Sequence, residues 1–265
     1  PIVGILYSIE SINPKSNNKF RKDEYILYNT EIGYNKNFNF FTLGKIILYL
    51  LWNYTYMKVS EISEILNDWM PTSIAEDFDN VGLIVGNPES LVTNILITLD
   101  TTSEVIDEAI KKDCNLIISY HPIIFNGLKK ITSDSGYVQK SIINAVKNNI
   151  SIYAIHTSLD NHPEGISYFL AKKIGLKDLS TLIPKKDGLN VIKTGMGILG
   201  KLDQPKDENS FFDLIKDKLN IKYLRHSKKI NKTISKVSVV AGSGSFAINN
   251  SLDSKVDAFI TSDLK

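Results

Sequence analysis

Two apolar runs in this chain of 265 residues end on histidine: LIISYHPIIFNG at 116–127 and SIYAIHTSLDNHPEG at 151–165. They contain three of the four histidines, His121, His156 and His162, and the second also carries Asp160. Neutral imidazole combined with carboxylate is a donor set for Zn, Fe, Mn and similar divalent cations. The residue types therefore raise metal chemistry first. His162, in the turn DNHPEG, and His226, in RHSKK, read instead as solvated polar residues.

Such groups act together only if the fold converges on them. From Met57 onward apolar strands alternate with amphipathic helices, the pattern of a parallel or mostly parallel sheet covered on both faces. Helices are predicted at 58–69, where Val59, Ile62, Ile65, Leu66 and Trp69 recur at helical spacing, and at 103–112, 137–148, 164–174 and 210–219. Strands are predicted at 94–100, 114–120, 150–156, 236–242 and 256–263. Ligands in parallel sheets gather outside the carboxyl ends of the strands. Here those ends are Asp100, Tyr120 with His121, His156, and Asp263. Neighbouring strands lie about 5 Å apart, so side chains leaving adjacent ends meet within metal-binding distance.

Bulk composition narrows the alternatives. An apolar fraction of 43% builds a substantial core, and a formal charge of +2 is too small to point to a nucleic-acid partner. The only arginines are Arg21 and Arg225, against the preference for Arg in bidentate recognition of phosphate or guanine. The single cysteine, Cys114, excludes a disulfide framework and a zinc site built from several cysteines, and reads as a small hydrophobe. Residues 1–56 hold seven of the twelve tyrosines and no clear amphipathic period, and read as a weakly structured extension. Their apolar segment at 40–52 falls short of the ~20 residues of a membrane span and contains Lys45, so no membrane association is expected.

The Lys-, Gly- and Asn-rich stretch at 183–195 is the expected lobe boundary, giving an N-terminal αβ lobe at 57–183 and a C-terminal αβ lobe at 184–265. Because the last strand ends at 263 with no cover after it, the second lobe is expected to be incomplete. The glycines of AGSGSF at 241–246 are a weak candidate for anion binding through backbone amides.

Taken together, EDFDNVGLIVG, ISYHPIIF, AIHTSLDNHPEGIS and VSVVAGSGSF with VDAFITSDLK resemble the NGG-one-interacting-factor-three-like family, whose members are often labelled type-two homologues of GTP cyclohydrolase I. The resemblance runs from Met57 to Lys265 and is to the short form, without an inserted middle domain. It implies two αβ lobes with a dinuclear metal centre in the cleft between them, subunits in a hexameric ring, and a cytoplasmic location with a mitochondrial one as the alternative. It implies His121 and Asp160 as metal ligands, and His156 at the same pocket as a ligand or catalytic proton carrier. Many members carry two successive histidines where this chain has Tyr120 and His121, and a further His and Glu are expected beyond Lys265. The implied activity is hydrolase-like, with metal-activated water attacking a nucleotide or related substrate. A metal-binding regulatory protein without turnover and a metallophosphoesterase are the alternatives.

Overall fold

The computed structural model describes residues 57–185 and 194–264. The expected extension at 1–56 and its apolar segment lie outside the described residues. Among the described residues no helix is long and apolar enough to cross a membrane.

Two compact units, each with one sheet of four strands, make up the described chain. One comprises the described residues up to Thr72 together with Asp77–His156; the other comprises Ser73–Glu76 and the chain from Thr157. The stretch at 183–195, expected as the lobe boundary, links two strands that pair with each other, Pro184 opposite Gly195. In the chain the two compact units divide between His156 and Thr157.

In the first unit, helix α1 (Val59–Trp69) buries Val59, Ile62 and Leu66, the stripe predicted from their spacing. Strands β1 (Gly82–Val85), β2 (Ile95–Thr98), β3 (Leu116–Ser119) and β4 (Ser151–Ala154) form a sheet in the order β1-β4-β3-β2. The β2–β3 and β3–β4 pairs are parallel and β1 is antiparallel to β4. All residues of β3 and β4 are buried, as a sheet covered on both faces requires. Helix α2 (Ser103–Lys111) starts where Thr102 accepts a hydrogen bond from the Val105 amide. With α3 (Tyr137–Lys147) it contributes Ile106, Ala109, Ile142 and Ala145 to a core built on Leu96, Ile117 and Ile152. Burying each such aliphatic side chain stabilises the fold by about 1.5–3 kcal/mol. Cys114 belongs to the same core, and burial pushes its thiol pKa up to about 11.

The strand predicted at 150–156 ends at Ala154, because His156 opens a helix, α4 (His156–Asn161). So short a helix has no propensity signal of its own. It is held by burial of Thr157, Ser158, Leu159 and Asn161 and by bonds from Glu76: the Glu76 amide donates to Thr157 Oγ1 at 2.9 Å, and Asn161 Nδ2 donates to Glu76 Oε1 at 2.8 Å.

The second unit continues with α5 (Ile166–Ile174), which ends at Gly175 in the left-handed conformation, φ 93°. Its sheet takes the order β5 (Lys177–Pro184), β6 (Gly195–Asp207), β7 (Thr233–Ser243), β8 (Ala258–Asp263). The expected αβ class stands. The expectation of a mostly parallel sheet is met in the first unit, whereas here only β7–β8 is parallel. Antiparallel neighbours need no crossover helix, so β6 follows β5 directly, without strand–helix alternation. α6 (Glu208–Leu219) and α5 cover this sheet, placing Phe211, Ile215, Ala171 and Ile174 on Val237 and Val239. A last short helix, α7 (Ile248–Asp253), precedes β8.

Candidate functional site

Parallel register lines up the strand ends. Thr98 pairs with Ser119 and Ser119 with Ala154, so Asp100, His121 and His156 each stand two residues beyond the same rung of the ladder. The backbone pairing extends past the strands, with the His121 amide donating to Leu99 O and the His156 amide to Tyr120 O, both at 2.9 Å. The three side chains therefore form a row at one edge of the sheet. His121 Nδ1 lies 2.8 Å from Asp100 Oδ1, and the His121 and His156 rings are 5.3 Å apart between centroids at 72°.

His156 has its own carboxylate. Its Nδ1 is 2.9 Å from Asp79 Oδ1 in the loop before β1. An ionised carboxylate only accepts hydrogen bonds, so Nδ1 of each ring carries the proton and donates, leaving Nε2 with the lone pair. This carboxylate–histidine arrangement fixes the tautomer and orientation of imidazoles that hold metals. The two pairs differ in exposure: the side chains of His121 and Asp100 are 43% and 56% exposed, those of His156 and Asp79 17% and 0%. One imidazole is thus open to solvent and the other is set into the protein on a buried charge.

Tyr120 packs against both rings, with centroids 4.8 Å from His121 and 5.3 Å from His156. Asn80 Nδ2 donates to Ile124 O at 2.7 Å and ties the 77–80 loop to the turn after Pro122. That tie sets Phe78 beside Phe125, with ring centroids 6.2 Å apart, and Phe125 is 6.2 Å from His156. Ring orientation by Asp79 and the aromatic pair have no periodic signature. The signal available was a phenylalanine between two aspartates in EDFDN and another just after HPII, both in polar turns.

Of the predicted ligands, His121 and His156 are brought together. Asp160 is half-buried one helical turn beyond His156 on α4. Asp263 ends β8 in the other sheet. Among the described residues no three His, Cys, Asp or Glu side chains are clustered to hold a metal ion. Two imidazoles, each oriented by a carboxylate, fit a divalent cation in donor type and supply two ligands.

Three other expectations resolve elsewhere. His162 is half-buried rather than solvated: burial lowers its pKa, and its Nδ1 accepts the Glu164 amide at 3.2 Å. His226 is exposed and stacks on Phe212 with centroids 4.5 Å apart. In AGSGSF the Gly244 amide donates to Asp263 O at 3.0 Å, so that amide is spent within the fold rather than turned toward an anion.

Residues 57–265 match the family Duf34/NIF3 (NGG1p interacting factor 3). A protein of Clostridium acetobutylicum named GTP cyclohydrolase 1 type 2 homolog is 38% identical over 207 residues, covering 78% of this chain and 76% of its own. A solved structure of Staphylococcus aureus hypothetical protein SA1388 superimposes with a TM-score of 0.71 at 30% identity, covering 79% of this chain and 80% of that one. A Bacillus cereus protein related to NIF3 shares the fold, with a TM-score of 0.72 at 24% identity over 79% of this chain and 83% of its own.

Proposed function

The chain belongs to the Duf34/NIF3 (NGG1p interacting factor 3) family, and from that premise we propose that it binds a divalent metal and acts as a hydrolase-like protein on a nucleotide. The observation that carries this reading is the pair of imidazoles at matching strand ends, His121 on Asp100 and His156 on Asp79. His121 and His156 would hold the ion through Nε2. A divalent cation supplies Lewis acidity, enough to bring water into the range of a nucleophile near neutral pH.

The chain's own residues do the rest. Asp100 and Asp79 hold the imidazoles in the tautomer with Nε2 unprotonated, and the Asp79 side chain behind His156 is fully buried. Where His156 is not bound to metal, its Nε2 takes up a proton released beside it. Bringing substrate to that edge of the sheet replaces water around His156 more completely than around His121, given their exposures of 17% and 43%.

The relatives' name directs the choice of substrate to GTP. Protein loaded with Zn or Mn is incubated with GTP and with a generic phosphate ester, and the products are separated by chromatography. Conversion of GTP that His156→Ala abolishes supports the proposal. Turnover of the simple ester but not of GTP moves the reading to a metallophosphoesterase, and tight metal binding without turnover moves it to a regulatory protein.

A further inference from the structure

Phe78 and Phe125 are 66% and 48% exposed, although each carries an apolar ring whose burial stabilises a fold. Neither is left out by accident of a loose loop. The 77–80 loop is bound twice, by Asp79 to His156 and by Asn80 to the carbonyl of Ile124, the residue before Phe125. Pro122 and Ile123 behind Phe125 are buried and anchor the turn from below. Two large apolar rings are thus held at the surface 6.2 Å apart and tilted by 56°, and the inner one stands edge-to-face with His156 at 75°. Aromatic rings presented in this way beside polar catalytic groups are a feature of binding sites.

We infer that Phe78 and Phe125 form a platform for a planar heteroaromatic ring, the base of a nucleotide, stacked on Phe125 and edged by Phe78 next to the histidine pair. The choice of occupant rests on the nucleotide reading above. A base is the part of a nucleotide that such a surface recognises, because every base has a π-face and stacking needs no particular hydrogen-bond partner. The phosphates and sugar are not recognised by these rings, so affinity gained here is gained for the base alone. A second copy of the chain packing over the two phenylalanines is the competing occupant.

Calorimetric titration of the full chain with GMP and with ribose 5-phosphate, which lacks the base, tests the inference. GMP is expected to bind at least tenfold tighter than ribose 5-phosphate. Phe125→Leu and Phe78→Leu keep apolar volume but remove the ring; Phe125→Leu is expected to weaken GMP about tenfold, the effect of losing one base–aromatic stack. Phe125→Trp restores it. Melting temperature and bound metal stay as in the parent protein. Equal affinity for GMP and ribose 5-phosphate overturns the inference, and so do leucine variants that bind GMP like the parent or that change only the mass of the assembly. GMP affinity that depends on Phe125 in a protein retaining no metal sinks the metal reading and keeps the platform. Retained metal with ring-independent affinity does the reverse.

Discussion

The Nδ1 atom of His156 lies 2.9 Å from Oδ1 of Asp79, a residue 77 positions earlier whose carboxylate is fully buried. A buried carboxylate is tolerated only when its hydrogen-bonding capacity is used. Asp79 uses Oδ1 for His156 and also for the amide of Asn80, at 2.8 Å. The loop that carries it is therefore part of the histidine's support.

Replacing Asp79 by Asn removes the charge and leaves the shape. Asp79→Asn is expected to reduce divalent-metal affinity about 10- to 100-fold, the usual cost of losing a carboxylate behind a ligating histidine. Competition against a chromogenic chelator measures it. An unchanged affinity would show that the pair serves the fold alone.

Asp100 provides the contrast. Its side chain is 56% exposed, so Asp100→Asn should change stability by no more than about 1 kcal/mol in chemical denaturation. Its effect on metal affinity should be smaller than that of Asp79→Asn, because solvent already screens the His121 pair. A larger effect from Asp100 would reverse the assignment of the more strongly oriented histidine.

Gly165 stands between α4 and α5 with no room for a side chain: a Cβ there would meet the Leu159 carbonyl oxygen at 1.9 Å and the His162 oxygen at 2.9 Å. Gly165→Ala must push α4, which begins at His156 and carries Asp160, away from its place. A loss on the order of 2–4 kcal/mol is expected, visible as a lower thermal midpoint together with weakened metal binding. A variant as stable as the parent would mean that the turn relaxes freely.

Burial raises the Cys114 thiol from 9.0 to about 11. An acid whose pKa is higher in the folded state keeps its proton while the unfolded chain loses it, so its contribution to stability is intact below about pH 9 and declines from there to about 11. Cys114→Ala should flatten that alkaline decline in denaturation midpoints measured at several pH values. The native thiol should also resist a disulfide reagent at pH 8 until the protein is unfolded. Rapid labelling of the native protein would place Cys114 outside the core.

Much of the first unit was legible in the sequence because periodicity and strand ends carry direct physical meaning. Val59, Ile62 and Leu66 mark α1 by their spacing, and the rule for parallel strand ends places Asp100, His121 and His156 at one edge, where the register puts them. What escaped depends on contacts across long sequence separations. α4 is six residues long and is held by Glu76, 81 positions from Thr157 and 85 from Asn161. Asp79 lies in the loop motif EDFDN, and only the fold brings it under His156, 77 positions later. The antiparallel pairing of β5 with β6 has no signature in the composition of the two strands, because it is set by backbone register rather than by residue type.

The proposed metal site rests on His121 and His156. Elemental analysis of the protein after equilibration with Zn and removal of unbound ion by desalting tests it most directly, with His121→Ala and His156→Ala prepared side by side. Zn should be retained by the parent protein and lost from both variants, with melting temperatures in the absence of metal close to the parent's. A parent protein that retains no Zn, or variants that retain as much as the parent, would contradict it.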